Sequence, residues 1–112
     1  EDARRALKNI CGGGTLNCRF THVYTDGPAP YYTYTGKYSL GGYFDQQEAI
    51  KTAVSDSILE SGGTITHHHA VGRLHRPWYD KQRPDLFAKS LKEIKRVCDP
   101  NGIMNPGVLI DP

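Results

Sequence analysis

This sequence has few cysteines, no long hydrophobic run and almost no net charge, and each shortage excludes a class of protein. Its three cysteines show no C-x-x-C pairing and no disulfide-scaffold spacing, which favours a reducing compartment and predicts a cytoplasmic protein. No apolar stretch approaches the roughly 20 residues of a membrane-spanning helix. The formal charge is only +2, and the basic residues are not interleaved with aromatic ones, which argues against nucleic-acid binding.

The sequence also lacks internal repeats, low-complexity tracts and a phosphate-binding loop. The glycine run 12–14 is not followed by the Lys-Ser or Lys-Thr pair of a P-loop, so we interpret it as a flexible connection. Basic residues are concentrated in 73–96, where eight Lys and Arg accompany three Asp and Glu. This excess could face an anion such as a phosphate, although a solvated helix face explains Lys89, Lys92, Lys95 and Arg96 better.

Alternation and turn residues predict a hairpin followed by a helix. The first strand covers 16–25, the second 31–35, and 26–30 is a Gly- and Pro-rich loop too long for a tight turn. Regular alternation would place one set of side chains together on one face of the first strand: Leu16, Cys18, Phe20, His22 and Tyr24. The helix should cover 45–60, with Asp45 and Glu48 at the spacing of a capping box.

Three consecutive histidines occupy the middle of the glycine-bracketed run 62–72. The β-branched residues 64–66 predict a short strand that joins the hairpin in one sheet. His67 and His69 would then share one face and His68 the other. The triplet alone fits a polar strand end, a metal site, or an acid–base or anion-binding site.

The remaining residues predict one more helix and complete an α+β fold. The chain should be irregular from Gly72 through 77–79, and a helix should follow over 84–98, with Pro84 at its N-terminal edge. The expected fold class is therefore α+β, with an antiparallel sheet covered on one face by the 45–60 helix.

Several motifs occur in an order that resembles the C-terminal part of FAD-linked oxidases, the superfamily that includes vanillyl-alcohol oxidase. They are CRFTHVY at 18–24, DG at 26–27, YYTY at 31–34, SGGTITHHHAVG at 61–72 and DPNGIMNPG at 99–107. The triplet with Val71 and Gly72 is most similar to the alkyldihydroxyacetonephosphate synthase (alkylglycerone-phosphate synthase) family. Two departures are Ala70, where the synthases usually have glycine, and the turn 105–107, which is more similar to the wider oxidase family.

The resemblance implies a division of the chain. Residues 1–72 would be the C-terminal part of a substrate (cap) domain, and 73–112 would return to an FAD-binding domain absent from this chain. That domain would hold most of the FAD, so the isolated chain is expected to be inactive. Apolar side chains of the 84–98 helix, including Leu91 and Ile94, would pack on the absent domain and therefore be exposed here.

The resemblance also assigns residue roles. Tyr31 would be an acid–base group, and the triplet would line the active site. His68 and Asn105 would lie near the flavin, and Arg19 and Arg73 would bind the anionic end of a substrate. The implied catalytic residues are thus Tyr31, His67, His68 and His69, and no metal is expected.

The function implied by this resemblance is ether-lipid synthesis. Such a synthase exchanges the acyl group of an acyl-dihydroxyacetone phosphate for a fatty alcohol, with no net redox change. One alternative is an FAD-linked oxidase or dehydrogenase of a 2-hydroxy acid or alcohol, and another is a small metal-binding module that uses the triplet. The partner is a phosphorylated lipid precursor or a small 2-hydroxy acid. Peripheral membrane contact and a homodimer are compatible with the full-length enzyme, as is a peroxisomal location in a eukaryote.

Overall fold

A computed structural model describes residues 1–111, which form four helices and one two-stranded antiparallel sheet. In chain order the elements are α1 Asp2–Cys11, β1 Gly14–Tyr24, β2 Gly27–Gly36, α2 Tyr43–Glu60, α3 Gly72–Gln82 and α4 Asp85–Cys98. The chain divides into two compact units, Glu1–Ser57 and Ile58–Pro112. The α+β class predicted from the sequence is confirmed.

The hairpin of the first unit is tighter than predicted. Its strands pair from Gly14↔Gly36 to Tyr24↔Gly27, so the turn contains only Thr25 and Asp26. The expected long loop is wrong because its prolines belong to β2. A two-stranded sheet consists only of edge strands, where a residue without an N–H group is tolerated.

The glycine run 12–14 is an ordered junction between α1 and β1, and our prediction of a flexible connection is wrong. Gly12 ends α1 in the left-handed conformation at φ 69°. Gly14 pairs with Gly36, and a Cβ atom at Gly14 would lie 2.4 Å from the backbone oxygen of Thr35. The run therefore ends a helix and permits close strand pairing.

Helix α2 begins two residues earlier than the predicted capping box. The first-turn amide of Gln46 donates to the backbone oxygen of Gly42 at 3.0 Å, which places Asp45 inside the first turn. The capping-box start at Asp45 is therefore wrong, because the backbone of Gly42 already accepts the bond that begins the helix. The predicted C-terminal end at Glu60 is confirmed.

Two glutamines connect α2 to its neighbours in the first unit. Gln46 Nε2 donates to the Ile10 carbonyl at the end of α1 at 2.9 Å. Gln47 accepts a hydrogen bond from the Tyr38 hydroxyl at 2.6 Å and donates to the Tyr34 hydroxyl at 3.0 Å. One face of the hairpin is therefore attached to α2 through polar contacts.

The predicted histidine strand does not form, because other groups satisfy its backbone. Gln82 of α3 accepts a hydrogen bond from the Ile65 amide at 3.1 Å and donates to the Gly63 carbonyl. The hydroxyls of Thr64 and Thr66 donate to the nearby carbonyls of Thr66 and Ala70, at 3.2 and 3.3 Å. Such local bonds compete with a sheet ladder.

Residues 72–82 form α3, where the sequence predicted irregular chain. Pro77 lies inside this helix, and Trp78 next to it is buried. Burial of a large aromatic side chain outweighs the hydrogen bond that proline removes. Among the residues that the structure describes, Ile65 and Ile110 are the other buried apolar side chains of the second unit.

Helix α4 confirms the predicted position, and the exposure predicted for its apolar side chains is confirmed at Ile94 but not at Leu91. It has no buried residue, and Ile94 is 59% exposed. Leu91 is half-buried, while Leu86, Phe87 and Val97 are exposed. Across residues 1–111, no helix combines the length and apolar character that crossing a membrane requires.

Candidate functional site

The hairpin register brings two predicted site residues together. Arg19 of β1 lies directly opposite Tyr31 of β2, so their side chains project from the same face. Arg19 is exposed and Tyr31 is half-buried. The other face carries Tyr34, which bonds to Gln47 of α2, so Tyr31 does not lie in the helix-facing core of this unit.

A β-bulge places Arg19 on the same face as His22, a residue that the sequence pattern did not indicate as part of the site. Phe20 pairs with Pro30 and His22 pairs with Ala29, which leaves Thr21 as the extra residue. One extra residue reverses the alternation, so His22 joins the face of Arg19 and Tyr31. The predicted grouping of His22 with Phe20 is therefore wrong. The available signal was Pro30, which cannot donate to a regular ladder.

The ring of His22 lies between two tyrosine rings. Its centroid is 5.8 Å from that of Tyr31, with the planes inclined at 31°. On the other side it stacks on Tyr24 at 6.2 Å and 13°. These contacts form a row of three aromatic rings that includes the predicted acid–base tyrosine.

Tyr34 is held on the helix-facing side of the hairpin by its hydrogen bond from Gln47. Burial raises the pKa of the Tyr34 hydroxyl, and the hydrogen bond from Gln47 lowers it by less. Tyr34 therefore stays protonated at neutral pH and serves as a hydrogen-bonded support on the helix-facing side.

The triplet forms a chain of ring contacts within the second unit. The Nδ1 atoms of His67 and His68 are 3.1 Å apart, and the rings of His68 and His69 lie edge to face at 4.4 Å. All three residues are exposed. The predicted strand alternation is wrong, because no strand forms. A hydrogen bond between two Nδ1 atoms needs one donor and one acceptor, so only one of the two carries the shared proton.

The residues after the triplet turn the chain sharply into α3. Ala70 adopts φ 61°, and Gly72 adopts φ 59°. An alanine in the left-handed region is strained, and glycine is not. A glycine at position 70 would relieve this strain.

Two further predicted site residues come together elsewhere in the second unit. The Arg73 guanidinium donates to the Pro106 carbonyl at 2.7 Å, inside the turn that carries Asn105. Asn105 has φ 45°, and Gly107 has φ 73°. Arg73 therefore holds the turn in place, whereas its predicted contact with a substrate anion stays a prediction.

Asp99 fixes the segment that leads into this turn. Its carboxylate accepts hydrogen bonds from Lys95 Nζ at 2.6 Å and from the amides of Ile103 and Met104, both at 3.0 Å. The bond from Lys95 is the main cause that lowers the pKa of Asp99, and the two amides add to it against the opposing effect of burial.

Replacing Asp99 with Asn should destabilise this turn at neutral pH and reduce its sensitivity to acid. The folded pKa is below the unfolded value of about 3.9, so the carboxylate stabilises the fold above that pH. That stability is lost as pH falls through the folded pKa. Hydrogen exchange at the Ile103 and Met104 amides, measured at neutral and acid pH, should be faster in Asp99→Asn at neutral pH and should converge with wild type in acid.

The matched control for that measurement is Asp26→Asn, which changes an exposed carboxylate in the hairpin turn. It should leave the exchange of both amides unchanged. Equal exchange in Asp99→Asn and wild type at neutral pH would show that the carboxylate does not hold the segment.

Part of the basic surface predicted for residues 73–96 is used in internal ion pairs. Arg76 contacts both carboxylate oxygens of Asp111, at 2.8 and 2.5 Å, and also Asp80 at 3.3 Å. Arg83 pairs with Asp80 at 2.7 Å. The Asp111 carboxylate raises the pKa of Arg76. Arg76 thus connects Asp111 to α3, and both arginines are paired with carboxylates instead of presenting free charge.

Comparison with known proteins shows the family. Residues 1–109 match the family of FAD linked oxidases, C-terminal domain, and the chain belongs to this family. It is similar to alkyldihydroxyacetonephosphate synthases from Caenorhabditis elegans (36% identical over 85% of this chain and 16% of the relative) and Dictyostelium discoideum (31% over 80% and 15%). It also resembles a mitochondrial D-lactate dehydrogenase [cytochrome] from Arabidopsis thaliana, at 36% over 60% of this chain and 12% of the relative.

The chain spans about a sixth of the length of the synthases it matches. No solved structure matches it significantly. Tyr31 and the triplet lie in different compact units, so their predicted membership of one site stays a prediction.

The family implies FAD. Two parts of this chain are candidates for contacting it, and they are the glycine run 12–14 and the residues His68 and Asn105. The glycine run 12–14 is occupied in capping α1 and pairing β1, so it does not fit a diphosphate cradle. His68 and Asn105 are exposed and carry both donor and acceptor atoms, which fit the polar edge of a flavin ring.

Proposed function

We propose that the protein containing this chain is an FAD-dependent enzyme of the alkyldihydroxyacetonephosphate synthase type. The observation that carries the proposal is the cross-strand pair of Arg19 and Tyr31 in a chain similar to such synthases. A guanidinium next to a phenol combines anion binding with proton transfer. A substrate that carries a phosphate, loses a proton at carbon and releases a carboxylate needs both.

In this proposal one site residue binds the anionic groups of the substrate, and the others transfer protons. Arg19 binds the phosphate or the departing carboxylate, and the Tyr31 hydroxyl exchanges a proton with C1 of the substrate. The bonded pair of His67 and His68 passes a proton between its two Nδ1 atoms.

His68 and Asn105 would contact the ring of the FAD, and Arg73 holds the turn that carries Asn105. The cofactor, when bound, supplies the electron sink and carrier that side chains lack. We also propose that most of the FAD is held by another part of the protein, since the glycine run of this chain does not fit its diphosphate.

A phosphorylated lipid precursor is the proposed substrate, and its low solubility in water suggests where the enzyme works. The fatty chains are water-insoluble, so peripheral membrane contact of the full-length protein agrees with this substrate. A homodimer, and a cytoplasmic or peroxisomal location, belong to the same proposal.

A second candidate is an FAD-linked dehydrogenase or oxidase of a 2-hydroxy acid. It is favoured by the similarity to a D-2-hydroxyglutarate dehydrogenase of Stutzerimonas stutzeri, 32% identical over 58% of this chain and 14% of the relative, and to the D-lactate dehydrogenase above. Membership of the FAD-linked family supports either flavoenzyme over a metal-binding module.

Supplying the whole FAD-loaded protein with a panel of 2-hydroxy acids and an artificial electron acceptor separates the two candidates. The synthase proposal predicts no sustained reduction of the acceptor, because its reaction has no net redox change. Continued reduction with any one acid would contradict it and support the dehydrogenase.

A further inference from the structure

The row of rings formed by Tyr24, His22 and Tyr31 gives His22 a role that the assignments above leave out. The pairs between the turn and the bulge place His22 opposite Ala29 and Tyr24 opposite Gly27, on the face of β2 that also carries Tyr31. Bulges commonly re-aim a side chain next to a functional site. Here the bulge at Thr21 brings Arg19 onto the same face, so the guanidinium and the row of rings share the face of the proposed acid–base tyrosine.

The contacts suit a support for the ring of Tyr31. A tilted pair with centroids 5.8 Å apart is within the favourable range for aromatic rings. The parallel stack on Tyr24, at 6.2 Å, limits the movement of His22 from the other side. Arg19 lies across the ladder from Tyr31, so the phenol is flanked by a cross-strand partner and a supporting ring.

We propose that His22 is a positioning residue that fixes the orientation of the Tyr31 ring through aromatic packing. The inference rests on the proposed role of Tyr31 in proton transfer. Its physical basis is that a misplacement of about 1 Å can reduce the rate of a reaction about 100-fold. His22 acts through Tyr31 and needs no contact of its own with the substrate.

The test uses the whole FAD-loaded protein and four variants: His22→Ala, His22→Phe, Val23→Thr and Tyr31→Phe. His22→Ala removes the supporting ring, whereas His22→Phe keeps a ring in the same place. Val23→Thr is the matched control, because Val23 is adjacent, lies on the opposite face and is 77% exposed. Turnover, KM and bound FAD are measured for each variant.

His22→Ala should lower kcat about 10- to 100-fold, with KM changed by less than about twofold and FAD content unchanged. His22→Phe should recover most of the lost kcat, and Val23→Thr should match wild type. A merely structural role would alter FAD content or KM together with kcat.

Three results with the His22 variants would overturn the inference. They are normal kcat in His22→Ala, a loss confined to KM or to FAD binding, and a His22→Phe variant as poor as His22→Ala. Tyr31→Phe separates this inference from the proposed function. If Tyr31→Phe is inactive and His22→Ala is normal, only the role of His22 fails. If Tyr31→Phe is fully active, the proposed role of Tyr31 fails, and the inference fails with it.

Discussion

Replacing Tyr31 with Phe should reduce turnover by about 10²- to 10⁴-fold while FAD remains bound. This range is what removal of a positioned general acid–base group typically costs. The substitution removes only a hydroxyl, so the ring contact with His22 and the pairing with Arg19 should persist. Product formation and flavin absorbance, measured on the whole protein, test both parts of the expectation.

Tyr32→Phe is the matched control for that experiment. Tyr32 is the next residue along β2, projects from the opposite face and is 56% exposed. The same chemical change should therefore leave turnover near wild type. Loss of FAD from Tyr31→Phe would assign Tyr31 a structural role, and equal losses in both variants would remove the case for a specific hydroxyl.

Replacing His68 with Ala should lower turnover by a similar factor of about 10²–10⁴. His68 is the central ring of the triplet: its Nδ1 bonds to His67, and its ring contacts His69. Replacing His68 therefore removes both of these contacts within the triplet, whereas a change at His67 or His69 removes one of them. Turnover of the whole protein is the measurement, with flavin absorbance to record any loss of cofactor.

His75→Gln controls for the loss of an imidazole in the same unit. His75 lies in the first turns of α3, with Nδ1 3.1 Å from the Val71 carbonyl, and a glutamine amide can donate to that oxygen. Its turnover should stay near wild type. A metal chelator should also leave wild-type turnover unchanged. Inactivation by the chelator would favour the metal-binding interpretation of the triplet over proton transfer.

The local pattern predicted the hairpin and the helices α2 and α4, because amphipathic periodicity and turn residues specify them. It did not predict the environment of residues 63–65. The three β-branched residues 64–66 indicate a strand, yet the side chain of Gln82 bonds to the backbone of Gly63 and Ile65. That contact joins residues 17 and 19 positions apart, so no local signal reveals it.

The strand register of the hairpin decides which side chains share the candidate site. The two prolines of β2 made that register hard to predict from the sequence. Pro28 and Pro30 favoured a long loop, and a long loop leaves the strand pairing undetermined. The actual two-residue turn fixes His22 opposite Ala29, on the face of Tyr31, and the bulge at Thr21 then places Arg19 opposite Tyr31. The sequence could therefore supply Arg19 and Tyr31 as candidates through resemblance, but not their pairing or the third member.

Helix α3 shows how burial outweighs local preference. Pro77 indicated a break, but Trp78 beside it is only 7% exposed. Burying a side chain of that size contributes more than the helix loses at one missing amide bond. Arg73 was predicted to lie in irregular chain. It lies in α3 instead, and its guanidinium donates to the Pro106 carbonyl.

The most direct measurement follows a labelled fatty alcohol through the reaction. The whole FAD-loaded protein is incubated with an acyl-dihydroxyacetone phosphate, the labelled alcohol and an electron acceptor. The proposed function predicts label in a phosphorylated ether product, one fatty acid released for each ether formed, and an acceptor that stays oxidised. An acceptor that becomes reduced while no labelled ether forms would contradict the proposal.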